Sequence, residues 1–281
     1  MKKITVKASA RTLLIAMTAS AVYSGASYAD ATLDRILSTK TLKCGVQLDF
    51  PPAGYRTANG EIDGYDVAYC KDMAKALGVN AEIVETASPD RIPALVSNRI
   101  DISIASASIT PARALTVAFS QPYVSYSNVV LTRKDSGIEK FDDLKGKKVG
   151  GVNGTTTEQQ LRQIYKSQNW ASAGGDFITY NSEPESYLAL TQGKIDGLML
   201  NNATAAALVQ SGQFPTLAIK GQAPVPVDLT GMAVRKADTD LLRWVQVFVW
   251  DQVKSGRYAE LYTKYFNSTD IPSLSVPGVD F

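Results

Sequence analysis

The chain has 281 residues, with 29 Lys+Arg against 27 Asp+Glu, two cysteines and no histidine. Without histidine, Ser-His-Asp and Cys-His nucleophilic catalysis are excluded and the commonest metal ligand is gone. Two cysteines are too few for a zinc site, no cofactor is expected, and the near-neutral charge gives no electrostatic reason for nucleic acid or an anionic membrane as partner.

Residues 1–29 read as an export signal. Lys2, Lys3, Lys7 and Arg11 precede the apolar run Leu13 to Val22, which is too short to span a bilayer, and Ser27-Tyr28-Ala29 fits a small-x-small cleavage site. Cleavage removes four basic residues and no acid, so the net charge moves from +2 to −2 and the protein is expected in the periplasm. Export makes a Cys44–Cys70 disulfide chemically possible. Both cysteines also sit in apolar-periodic segments, where Cys can be a small core hydrophobe. The even count and the compartment favour the disulfide.

Leu33 to Leu37 predicts a short amphipathic helix and Thr41 to Val46 a first strand, followed by a loop over Gln47 to Tyr55 that carries Pro51-Pro52. Ile62 to Tyr65 reads as an edge strand. Asp66 is expected to cap a helix that runs to Leu77 and stops at Gly78. Ala81 to Glu85 is a strand, Arg91 to Ser97 a helix, and Ile100 to Ile104 a buried strand. This βα alternation favours a mostly parallel sheet with helices on both faces.

After an extended segment, Val117 to Tyr123, a second series begins near residue 127. Its strands are Ser127 to Arg133, Lys148 to Val152, Asp176 to Tyr180 and Ile195 to Leu200. Its helices follow Thr155, Glu183 and Asn201, and Thr155 with Glu158 fits a capping box. Gly221 to Pro226 reads as a connector and Leu229 to Arg235 as a returning strand. Thr239 to Lys254 is a long helix with Trp244, Val247, Phe248 and Val253 as its buried stripe, and Arg257 to Phe266 is a last helix. Lobe 1 is therefore expected over 30–126 plus 227–281, and lobe 2 over 127–226.

Three strand ends could hold one small molecule, since ligands of open α/β sheets sit outside the carboxyl ends of strands. The first is Ser106, Ser108 and Thr110 with Arg113, whose fork can grip a carboxylate with two bonds. It reads either as half of an anion clamp or as a strand–turn–helix whose hydroxyls cap backbone. The second is Gly154, Thr155 and Thr156, at a helix start that favours an anion. The third is Asn201. Phe50, in the loop after the first strand, could stack on a ligand or cover the sheet end.

Phe50-Pro-Pro-Ala-Gly-Tyr, Gly64-Tyr-Asp-Val, Arg91-Ile-Pro-Ala-Leu, Ser108-Ile-Thr-Pro-Ala-Arg113, Phe119-Ser-Gln-Pro-Tyr123, Gly193-Lys-Ile-Asp-Gly197 and Gly256-Arg-Tyr followed by Lys264-Tyr-Phe266 occur in that order. Together they resemble the periplasmic polar-amino-acid-binding proteins of ABC importers, solute-binding protein family 3. The resemblance implies an α/β, two-lobed periplasmic binding protein fold with two crossing hinge segments and ligand trapped by closure. It implies that Arg113 binds the ligand α-carboxylate, that Ser106 and Ser108 accept the α-ammonium and support the carboxylate, that the Thr156 N–H closes over it, and that Phe50 stacks on the side chain. The expected partners are a small amino acid or related carboxylate and an ABC permease in the inner membrane; no nucleic acid is expected, and the protein is expected to be a monomer.

Three positions depart from the pattern. Asn201 stands where the family usually has an aspartate that pairs with the α-ammonium, and Asn gives no charge pairing, so that either the ammonium is held more weakly, or another acid replaces the aspartate, or the ligand is not a simple α-amino acid. Gln47 stands where binders of basic side chains often carry an acid, and Ser88 where many members place a large apolar residue. These changes suit a polar neutral, glutamine-like side chain. The alternative function is an exported enzyme on the same scaffold, like cyclohexadienyl dehydratase. The helix after Asn201, Asn202-Ala-Thr-Ala-Ala-Ala-Leu, carries no acid for such chemistry.

Overall fold

The computed structural model describes residues 31–275, so the export signal expected over 1–29 lies outside the described residues. Among them, no helix is long and apolar enough to cross a membrane. The two βα series form two five-stranded sheets of matching layout. In the first, the spatial order is Asn80–Glu85, Thr41–Val46, Ile102–Ser103, Asp228–Arg235, Val117–Tyr126. In the second it is Asp176–Tyr180, Lys148–Val152, Gly197–Asn201, Asn128–Arg133, Leu217–Gln222.

In each sheet the fourth strand in this order runs against the other four. That reversed strand is the one that has just crossed from the other sheet: Asn128–Arg133 follows Val117–Tyr126, and Asp228–Arg235 follows Leu217–Gln222. The two crossings lie side by side, with Asp228 opposite Tyr126. The mostly parallel, two-lobed architecture thus matches the expectation.

Helices cover both faces of each sheet because the strands are apolar on both sides. In the second lobe, Val129 and Leu131 point into one core with Leu190, Ile195 and Leu200, while Val130 and Met199 point into the other with Leu144, Val149 and Trp170. In the first lobe, Leu42, Cys44 and Val46 pack against Val67, Tyr69, Cys70 and Met73 of the helix Tyr65–Leu77. Gly78, at φ 67°, ends that helix in the left-handed turn that glycine adopts without penalty. Cys44 and Cys70 are joined as a disulfide, with Cα atoms 6.2 Å apart. Leu241, Val245, Phe248, Tyr258 and Leu261 of the last two helices, Thr239–Lys254 and Arg257–Phe266, belong to this same core.

Several local expectations change. The buried stripe of Thr239–Lys254 is Leu241, Val245, Phe248 and Val249; Val247 and Val253 are 64% and 47% exposed. The periodic series that starts at Leu241 selects a face rotated from the one expected. The segment expected as loop over Gln47 to Tyr55 is not all loop: Asp49–Phe50, Gly54–Arg56 and Ile62–Asp63 form a small antiparallel sheet. The strand expected over Ile100 to Ile104 pairs only at Ile102–Ser103. Leu217–Gln222 is a strand that overlaps the predicted connector. Thr155 accepts from the Glu158 N–H, but the Glu158 carboxylate goes to Arg162 at 2.5 Å, so the capping box is only half formed.

Candidate functional site

The cleft is built from the carboxyl ends of strands in both sheets. After Ile102–Ser103 the chain turns through Ser106, whose φ of 46° is rare for a residue with a side chain. A buried network holds it there. Tyr123 Oη accepts from Ser106 N at 2.9 Å and donates to Asp66 Oδ1 at 2.7 Å, while Ser106 Oγ donates to Asp66 Oδ2 at 3.0 Å and lies 3.0 Å from Tyr126 Oη. Asp66 is therefore not a helix cap: Gly64 holds the N-cap position, and the Asp66 carboxylate anchors the serine loop from beneath. Burial pushes Asp66 up to about 7, against the pull of its hydroxyl donors and Arg91.

Two residues on, Ser108 meets the other lobe. Its Oγ is 2.7 Å from Thr156 Oγ1, and both hydroxyls donate to Asp228 Oδ2, at 2.7 and 3.1 Å. Thr156 opens the helix Thr156–Ser167, which Thr155 caps. Thr110 caps the single turn Pro111–Ala114, accepting from the Arg113 N–H. Arg113 then donates to the Ser108 carbonyl at 2.8 Å and to the Gly154 carbonyl at 2.7 Å. Arg91 donates to the same Gly154 carbonyl at 3.1 Å, and to those of Ser88 and Ala105. Two guanidinium groups of lobe 1 thus converge on one carbonyl of lobe 2. Burial, then the neighbouring Arg91, holds Arg113 down to about 10, and burial lowers Arg91 as well; both remain cations at neutral pH.

A cavity lies between the lobes. Gln47, Phe50, Ser88, Ser106, Ser108, Thr156 and Asn201, all expected site residues, line it. Arg113 and Gly154 instead line a neighbouring cavity, with Arg91 common to both. Elsewhere in the lining, Ser88 Oγ donates to Gln47 Oε1 at 3.0 Å and Gln47 Nε2 to Asp49 Oδ1 at 2.9 Å. Phe50 leans across to the core of the second lobe. Asn201 Oδ1 accepts from Thr204 N at 2.7 Å, so that oxygen caps the helix Asn202–Gln210.

Sequence reasoning missed four charged residues here. Asp228 and Glu183 line the cavity, Arg91 lies between the cavities, and Asp66 lies beneath the loop. Burial raises Glu183 to about 8, with Asp49 adding to the effect and Arg91 opposing it, and burial raises Asp228 too. The available signal was an isolated charge within an otherwise apolar segment, as in Tyr65-Asp-Val-Ala and Val227-Asp-Leu.

Residues 42–268 match the family model of bacterial extracellular solute-binding proteins, family 3. The chain belongs to that family. Among its relatives, the L-cystine-binding protein TcyJ of Escherichia coli K12 is 33% identical over 86% of this chain and 89% of its own. The P235GK mutant of ArgBP from T. maritima superposes with a TM-score of 0.76 at 34% identity, covering 84% of this chain and all of that one. The cysteine-binding protein of Campylobacter jejuni gives 0.77 at 28%, covering 86% and 96%. The ancestral amino acid-binding protein AncCDT-1, a precursor of cyclohexadienyl dehydratase, gives 0.75 at 30%, covering 84% and all of its chain.

Proposed function

We propose that this protein captures an L-amino acid in the periplasm, between lobes 30–126 plus 227–281 and 127–226, and delivers it to an ABC permease without catalysing a reaction. The observation that carries the reading is the pairing of Ser108 and Thr156. These hydroxyls come from opposite lobes, converge on one carboxylate, and stand beside a two-arginine contact that also bridges the lobes. Such a site binds a small charged headgroup best when closed, which is how a carrier couples recognition to a shape that its permease can read.

The relatives' names offer L-cystine, arginine and histidine as ligands, and the mixed donors and acceptors of Gln47, Asp49, Ser88, Arg91 and Glu183 suit a polar side chain. A glutamine-like ligand, read from Gln47 and Ser88, is not the ligand in the names of the curated relatives, although an ancestral arginine-binding protein 32% identical to this chain was solved with glutamine bound. Isothermal titration with L-cystine, L-cysteine, L-arginine, L-histidine and L-glutamine tests the reading. Saturable binding with compaction in small-angle scattering is expected. Silence across the series overturns it, and turnover of prephenate or arogenate by the pure protein would replace it with the enzyme.

A further inference from the structure

An amino acid brings an ammonium as well as a carboxylate into the cleft, and a buried ammonium needs an anionic partner. The Asn201 carbonyl oxygen is engaged by the Thr204 N–H, and the residue is neutral. Asp66 is held by Tyr123 and Ser106 and does not line the cavity. Glu183 has Asp49 and Arg91 as its charged neighbours. Asp228 is different. Its Oδ2 takes both headgroup hydroxyls, Ser108 and Thr156, and its Oδ1 takes no hydrogen bond among the described residues.

We infer that Asp228 is the residue that holds the ligand's α-ammonium, in the role that the family's usual aspartate has at the position of Asn201. The inference rests on the amino-acid reading above. Asp228 opens the returning strand, directly opposite Tyr126 on the other crossing strand, so it sits on the hinge itself. An ammonium bound there touches the point about which the lobes turn, while Arg113 and Arg91 remain for the carboxylate. The cleft then reads a zwitterion with opposite charges on two sides of the Ser108–Thr156 pair.

Each amino acid is titrated beside its counterpart without amino groups: L-cystine with dithiodipropionic acid, L-arginine with guanidinovaleric acid, L-glutamine with glutaramic acid. Asp228→Asn should weaken the amino acid that binds wild type at least about thirtyfold, the range for breaking a buried charge pair, and change its amino-free counterpart less than about threefold. Asp228→Glu, which keeps the charge, should recover part of the loss and controls for folding, together with the melting temperature. Equal loss for both compounds would make Asp228 a structural residue. Tighter amino-acid binding in Asp228→Asn would show that the carboxylate competes for the anion site. Either result, or an unchanged affinity, overturns the inference while leaving the amino-acid reading in place. Silence of the wild-type protein overturns that reading and this inference with it.

Discussion

Gly154→Ala separates closure from folding. Gly154 has φ +83° and begins the turn into the second-lobe helix. A Cβ there would lie 2.8 Å from the Ser88 carbonyl oxygen and 2.9 Å from Pro89 Cα. These are backbone atoms of the opposite lobe, so no side-chain rotation relieves the clash. The lobes must part, and the bonds from Arg91 and Arg113 to the Gly154 carbonyl, at 3.1 and 2.7 Å, break with them. At about 1.5 kcal/mol for each hydrogen bond to a charged group, the closed state loses about 3 kcal/mol, which lowers ligand affinity about 150-fold. The left-handed backbone adds about 1–2 kcal/mol of strain within the second lobe, which affects melting rather than closure. Gly137→Ala is the matched control: its φ is +70° and nothing lies within 4 Å of the new Cβ. It should lower the melting temperature and leave affinity intact. Titration and small-angle scattering with L-cystine, L-arginine and L-glutamine read both quantities. If Gly154→Ala binds within threefold of wild type and compacts fully, the two-arginine contact does not govern closure.

Arg113→Ala removes the donor to Ser108 and Gly154 as well as the expected carboxylate ligand, so affinity should fall more than tenfold, about 1.4 kcal/mol, in the same titrations; a smaller loss would remove Arg113 from the anchor role. Asp66 and Glu183 keep their protons to about pH 7 and about pH 8 in the folded protein, far above their unfolded values. Between pH 4 and pH 8 the native state therefore binds more protons than the unfolded chain, and stability falls as pH rises, by up to about 1.4 kcal/mol per pH unit for each group. Calorimetry should find a higher melting temperature at pH 5 than at pH 8, with a flatter dependence in Asp66→Asn; a rise toward pH 8 contradicts the burial argument. Cys44→Ala with Cys70→Ala opens a loop spanning 26 positions, at a cost of about 3.5 kcal/mol, roughly 7–14 °C in Tm. A drop below about 2 °C would mean that the cross-link adds nothing to the packing around it.

The order of βα units and the helix starts at Thr110, Thr155 and Asn201 were legible in the sequence because each is a local signal: an apolar period, a capping side-chain oxygen, a proline at the first helical position; the two crossings came from the family resemblance. The same signals placed Ser106, Ser108 and Thr156 at strand ends. They missed the exposed side of Thr239–Lys254, where a helical period admits several faces until a neighbour selects one. They also made Asp66 a cap, because an acid at a helix start fits that role and its partners Ser106 and Tyr123 lie 40 and 57 residues away in sequence.

The sequence by itself determined a two-lobed α/β chain and a set of hydroxyls, a helix start and an arginine at strand ends, since these depend on residue types and short spacings. Only the tertiary structure decided which charges meet. Asp228 reaches Ser108 across 120 residues and Arg91 reaches Gly154 across 63, on segments that touch because the chain crosses the hinge twice. No local pattern records such a contact: burial and pairing in a cleft are set by where distant strands end, and that is fixed only when both sheets have formed.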